Sequence, residues 1–154
     1  MQLIEKVEEL KIHAIEIMKK FKCHAPMYFL KIADVDNIIV HTPEINDQET
    51  KINTVADIRK LIANRKLEEY VFICEGTVRD ATNSENKNGM KKSDDCLIVL
   101  YASPKKEIQY ICKCDFLDED IKFSPWEEYK SSDSSGTKQG LFNNLFDKEN
   151  CIYN

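Results

Sequence analysis

The chain has 154 residues, 42% hydrophobic and 32% charged, with a formal net charge of −5. That is enough for one domain with a buried core, and no apolar run approaches the roughly 18 to 20 residues of a membrane span. The acidic balance lacks the basic footprint that gives nucleic-acid binding its affinity, and with four glycines there is no dinucleotide or phosphate-loop motif.

The opening MQLIEKVEELK carries glutamates where a secretory signal needs an apolar stretch, so a cytosolic protein with reduced thiols is expected. Helical spacing begins at once. Leu3, Val7, Leu10, Ala14, Ile17 and Phe21 recur at alternating steps of four and three, and Ile4, Ile15 and Met18 widen the stripe. The Ala25-Pro26 step ends this helix. Met27 to Ile32 and Asn37 to His41 read as strands about a turn at residues 33–36, and Pro43 stops the second. Thr54 as N-cap opens a second helix through Leu67, with Val55, Ile58, Leu61, Ile62 and Leu67 as its apolar face.

The third strand lies in EEYVFICEGTVRDATN, where Tyr70 to Cys74 is apolar at every step. Glu75 places a carboxylate on the face of Val71 and Ile73, and the strand is expected to end there. A long polar loop, Thr77 to Ser93, follows. Cys96 to Ala102 and Glu107 to Phe116 are the fourth and fifth strands, joined by a turn at Ser103-Pro104-Lys105-Lys106. Residues 115–154 form an acidic tail, whose nine acids against four lysines account for the whole net charge.

The order α-β-β-α-β-β-β with short turns implies an α+β fold, a mostly antiparallel five-stranded sheet with two helices on one face. Residues 1–130 form the expected domain. Residues 131–154 comprise a flexible linker, SSDSSGTKQG, and an anchor segment, LFNNLF, that docks on the domain or on a partner.

The candidate binding residues are Glu75, Arg79, Asp80 and Trp126. Arg79 is placed to pair with Glu75, Asp80 lies beside it in the loop, and Trp126 either covers the sheet edge or marks a binding surface. A buried Glu75 would suit general acid–base work with Arg79, His24 or His41. Cys112-Lys113-Cys114 puts two thiols on one strand face, but without a second spaced pair of ligands it defines no metal site. No cofactor is expected, and nucleophile elbows, HExxH helices and EF-hand loops are absent.

The segments APMYFLK, YVFICEG, DDCLIVLYAS and LFNNLF resemble those of a group of small uncharacterised bacterial and phage-associated proteins. The resemblance implies an α+β fold and brings no activity with it. The functional expectation is a non-enzymatic protein that acts by binding another protein, without nucleic acid or membrane. An immunity- or inhibitor-type protein is one form, because a small acidic domain suits a basic partner. An enzyme built on Glu75 is the alternative, and a metal-binding protein using Cys112, Cys114 and a histidine is the third reading.

Overall fold

The computed structural model describes residues 2–64, 66–79, 93–130 and 145–146. A 3₁₀ turn, Leu3–Lys6, runs directly into helix α1, Val7–Phe21. Leu3, Val7, Ala14 and Met18 are buried as the stripe requires. The stripe departs from expectation at two points: Phe21 is 60% exposed, and Lys11 is buried. The Lys11 ammonium sits 3.9 Å from the Tyr110 ring centroid and 2.8 Å from Glu8 Oε1. Its stem therefore lies along the apolar seam while its charge stays paired. Lys22, at φ 61°, closes the helix with its N–H on the Met18 carbonyl.

The described residues form seven strands: β1 Met27–Ile32, β2 Ile39–His41, β3 Leu67–Arg79, β4 Ser93–Ala102, β5 Glu107–Phe116, β6 Ile121–Phe123 and β7 Glu127–Lys130. All pairings are antiparallel, in the order β2-β1-β3-β4-β5-β6, with β7 also on β5. The expected five strands become seven because the start of the acidic tail returns to the sheet. β6 pairs with Cys114–Phe116 and β7 with Ile108–Ile111, so the two share the outer side of β5. Between them one extra residue is accommodated at Ser124-Pro125-Trp126. There the Ser124 N–H donates to the Lys113 carbonyl (3.0 Å), and Ser124 Oγ accepts from the Lys113 N–H (2.9 Å). Proline fits this bulge because no ladder donor is required of it.

Helix α2 spans Gln48–Ala63 and begins well before Thr54. Asp47 is the N-cap: its carboxylate accepts from the Thr50 N–H (2.8 Å), and Thr50 Oγ1 accepts from the Asp47 N–H in return. Thr54 lies inside the helix with its hydroxyl on the Thr50 carbonyl, and Leu67 belongs to β3. No helix among the described residues is long and apolar enough to cross a membrane.

The two helices cover opposite faces of the sheet, not one face. Leu3, Val7, Ala14 and Met18 pack with Val71, Ile73, Leu97, Val99, Tyr110 and Cys112. Val55 and Ile58 of α2 pack with Tyr28, Leu30, Tyr70, Phe72 and Leu100. Successive residues of one strand thus enter different cores, which explains the unbroken apolar run from Tyr70 to Cys74. Leu145, fully buried, completes the α2-side core, and Phe146 stacks on Tyr70 with ring centroids 5.7 Å apart.

One group in that core carries a testable cost. Tyr28 is wholly buried and stacked on Phe72 at 4.3 Å, and its hydroxyl has no hydrogen-bond partner among the described residues. An unpaired buried hydroxyl destabilises, so Tyr28→Phe is expected to raise stability by about 1 kcal/mol in thermal or urea unfolding. A loss of stability of that size would show that the phenol does find an acceptor.

Candidate functional site

Glu75 does not end its strand. β3 continues through it to Arg79, whose backbone pairs with Ser93. What ends at this level is β1: its last pair is Met27 with Ile73, and Pro26 lacks the N–H to extend the ladder. Glu75 therefore stands exposed on the open side of β3, and its Oε2 accepts the main-chain N–H of His24 at 3.1 Å. The buried His24 ring turns elsewhere, with Nδ1 2.7 Å from the Ala25 carbonyl, an acceptor that requires this nitrogen to carry the proton. His41 pairs with Tyr28 and so faces the α2 side, across the sheet from Glu75.

Counting back along the same face of β3 leads to Glu69, which the sequence reading passed over. Glu69 is buried. It accepts the Leu3 N–H at 3.0 Å and the Tyr101 hydroxyl at 2.5 Å, with the Lys31 ammonium at 3.9 Å. The Leu3 amide is one of the donors that a helical N-terminus leaves unmatched, and Gln2 supplies no side-chain cap. Burial and the hydrogen bond to Glu69 raise the Tyr101 pKa, consistent with a phenol that keeps its proton and donates. Two carboxylates on one face of β3 thus hold the chain just before and just after the N-terminal helix.

A cleft of about 880 Å³ opens at the Glu69 end of the sheet, lined among others by Lys31, Glu69, Tyr101, Lys106, Ile62 and Phe146. Its best-placed polar groups, Glu69, Tyr101 and Lys31, are already engaged with one another. Glu75 lies at the other end of β3 and does not line it. Of the groups considered as acid–base partners of Glu75, His24 meets it through its main-chain N–H and His41 faces the other side of the sheet. The Arg79 side chain and the whole of Asp80 lie outside the described residues. Trp126 is half-buried and packs against the α1-side core, its ring centroid 5.6 Å from the Lys11 ammonium.

Three of the described cysteines behave as core atoms, while Cys23 is exposed and Cys74 is partly buried. Cys96, Cys112 and Cys114 are buried, and the Cys112 thiol donates to the Ser124 carbonyl at 3.1 Å. Among the described residues, no group of three or more His, Cys, Asp or Glu is arranged to hold a metal ion. Burial, reinforced by neighbouring cysteines, pushes the Cys74 and Cys114 thiols from the ordinary 9.0 up to about 12. Such thiols stay protonated in the fold while those of the unfolded chain ionise. The stability they contribute is complete below the unfolded value and is lost as pH rises towards about 12. The melting temperature of the reduced protein should hold steady to about pH 9 and then fall, and Cys114→Ala should remove part of that alkaline loss. An unchanged slope in the variant would take Cys114 out of the account.

The two margins of the sheet differ in kind. The β6–β7 margin is guarded by the bulge, Pro125 and exposed Lys122, Glu127, Glu128 and Lys130. At the other margin β2 has no strand beyond it among the described residues, and all three of its residues are exposed, Ile39 at 39% and Val40 at 54%. Ile39 and Val40 pair with Leu30 and Phe29, so one apolar side chain stands on each face of this edge. Nothing in the NIIVH segment singles it out as more than a strand; only the strand order places it at a margin.

No protein family model matches this chain, and no curated protein and no solved structure matches it either.

Proposed function

We propose that the protein acts by binding another protein, which adds an extended segment to the open edge of β2. The observation that carries this reading is the contrast between margins: one edge has a bulge, a proline and charged side chains, and the other, among the described residues, presents an unpaired backbone edge at exposed Ile39 and Val40. A catalytic reading has lost its main support, because Glu75 is exposed and holds a backbone amide.

The test compares the wild-type protein with Ile39→Lys/Val40→Lys, which installs the charge that natural edges use. Surface changes of this kind alter stability by about 0.5 kcal/mol or less each, so the variant should fold. A partner captured by the tagged wild-type protein should bind the variant at least about tenfold more weakly, and it should protect the amides of residues 39–41 from hydrogen exchange. Equal binding by the variant, with β2 amides unprotected, would remove β2 as the site.

A further inference from the structure

We infer that the segment received by β2 is apolar at its centre and carries lysine or arginine at both ends, and that it belongs to a different protein and not to a second copy of this chain. The inference rests on the strand-addition reading and adds the partner's chemistry. Residues 33–47 contain Asp34, Asp36, Glu44 and Asp47 and no lysine or arginine. All four acids are exposed. Asp34 and Asp36 stand in the turn before β2, and Glu44 and Asp47 follow it, so carboxylates flank Ile39 and Val40 on both sides. The cation on the neighbouring strand, Lys31, is held at 3.8 and 3.9 Å by Glu68 and Glu69. His41 is the one titratable base on β2 itself.

This arrangement discriminates between occupants. Antiparallel pairing of β2 with the β2 of a second copy would bring the Asp34–Asp36 end of one chain beside the Glu44 end of the other. Like charges across a strand pair are destabilising, and that repulsion acts as a specificity device. A segment with basic ends meets opposite charge whichever way it runs, and it gains in association rate as well as affinity. Val35, 40% exposed in the same turn, extends the apolar surface available to it.

The test uses blocked synthetic peptides of about nine residues with an alternating Val/Thr centre, ended by paired lysines, paired serines or paired glutamates. Binding is followed by the backbone amide resonances of the full chain. The lysine-ended peptide should shift the Ile39, Val40 and His41 amides and bind at least about tenfold more tightly than the glutamate-ended one at about 0.05 M salt, with the gap closing near about 1 M. The variant Asp34→Asn/Asp36→Asn/Glu44→Gln should narrow that gap to about twofold. It leaves the Asp47 cap of α2 intact and puts asparagine, which tolerates positive φ, at the 66° of position 34. Equal binding by all three peptides would overturn the charge inference and leave strand addition standing. If no peptide moves the β2 amides, both fail. Concentration-dependent dimerisation abolished by Val40→Lys would assign the edge to a second copy and overturn the heterotypic claim.

Discussion

Glu69→Ala is expected to destabilise the protein by about 4 kcal/mol, because it strips a buried carboxylate from two donors and leaves the Lys31 ammonium with Glu68 as its remaining counter-charge. The Leu3 amide and the Tyr101 hydroxyl would both lose their acceptor in a buried setting. For a chain of this size that corresponds to a fall in melting temperature of roughly 10 °C. Glu69→Gln keeps one acceptor oxygen and should cost about half as much, and Tyr101→Phe, which removes one donor and leaves the Leu3 contact, about 1 kcal/mol. Combining Glu69→Gln with Tyr101→Phe should cost less than the sum of the two, since the residues share one bond. Faster hydrogen exchange in the first turns of α1, with β4 unchanged, would place the damage at the helix anchor. The equivalent Glu75→Ala should cost only a fraction as much, because the same kind of contact is made by an exposed carboxylate. Equal effects at positions 69 and 75 would overturn burial as the deciding factor.

Leu145→Ala is expected to cost about 3 kcal/mol by opening a cavity in the α2-side core. Leu145 has no exposed surface, and it packs in the cluster formed by Tyr28, Leu30, Val55, Ile58, Tyr70, Phe72 and Leu100. Leu145→Asp should cost more, since it adds an unpaired charge to the cavity. The optical check is independent of stability: the near-ultraviolet signal expected from the Tyr70–Phe146 stack should weaken in both variants. Unfolding free energies within about 0.5 kcal/mol of the wild-type value would show that this short apolar segment leaves the core without consequence.

The candidate site divides into what neighbouring residues encode and what they do not. Glu75 is conspicuous in the sequence because it interrupts an apolar run, yet its role depends on where β1 stops and on a main-chain amide far away in the chain. Glu69 precedes the run and looks like ordinary solvent-facing charge beside Glu68. The face-by-two rule that selects Glu75 also selects Glu69, so the signal was present. What the rule cannot supply is burial, which comes from Leu3, Lys31 and Tyr101 arriving from three other elements. The β2 edge is less legible still. NIIVH reads as a strand, but its place at a margin is a property of the strand order.

By itself the sequence determined most of the local elements, though not the bounds of α2 and β3, because periodicity and turn chemistry act between near neighbours. The 3.6-residue stripe made α1, the apolar runs made β1, β4 and β5, and Pro26 closed the link between α1 and β1. It also held an unused sign of the layering, since Tyr70 to Cys74 has apolar groups for both faces. Tertiary structure alone decided which face each helix covers, that the acidic segment at residues 121–130 returns as a bulged edge, and that Leu145 fills the α2-side core. Each is a contact between segments far apart in the chain. The physical reason is that a strand's alternation states which residues share a face but not what arrives to bury it.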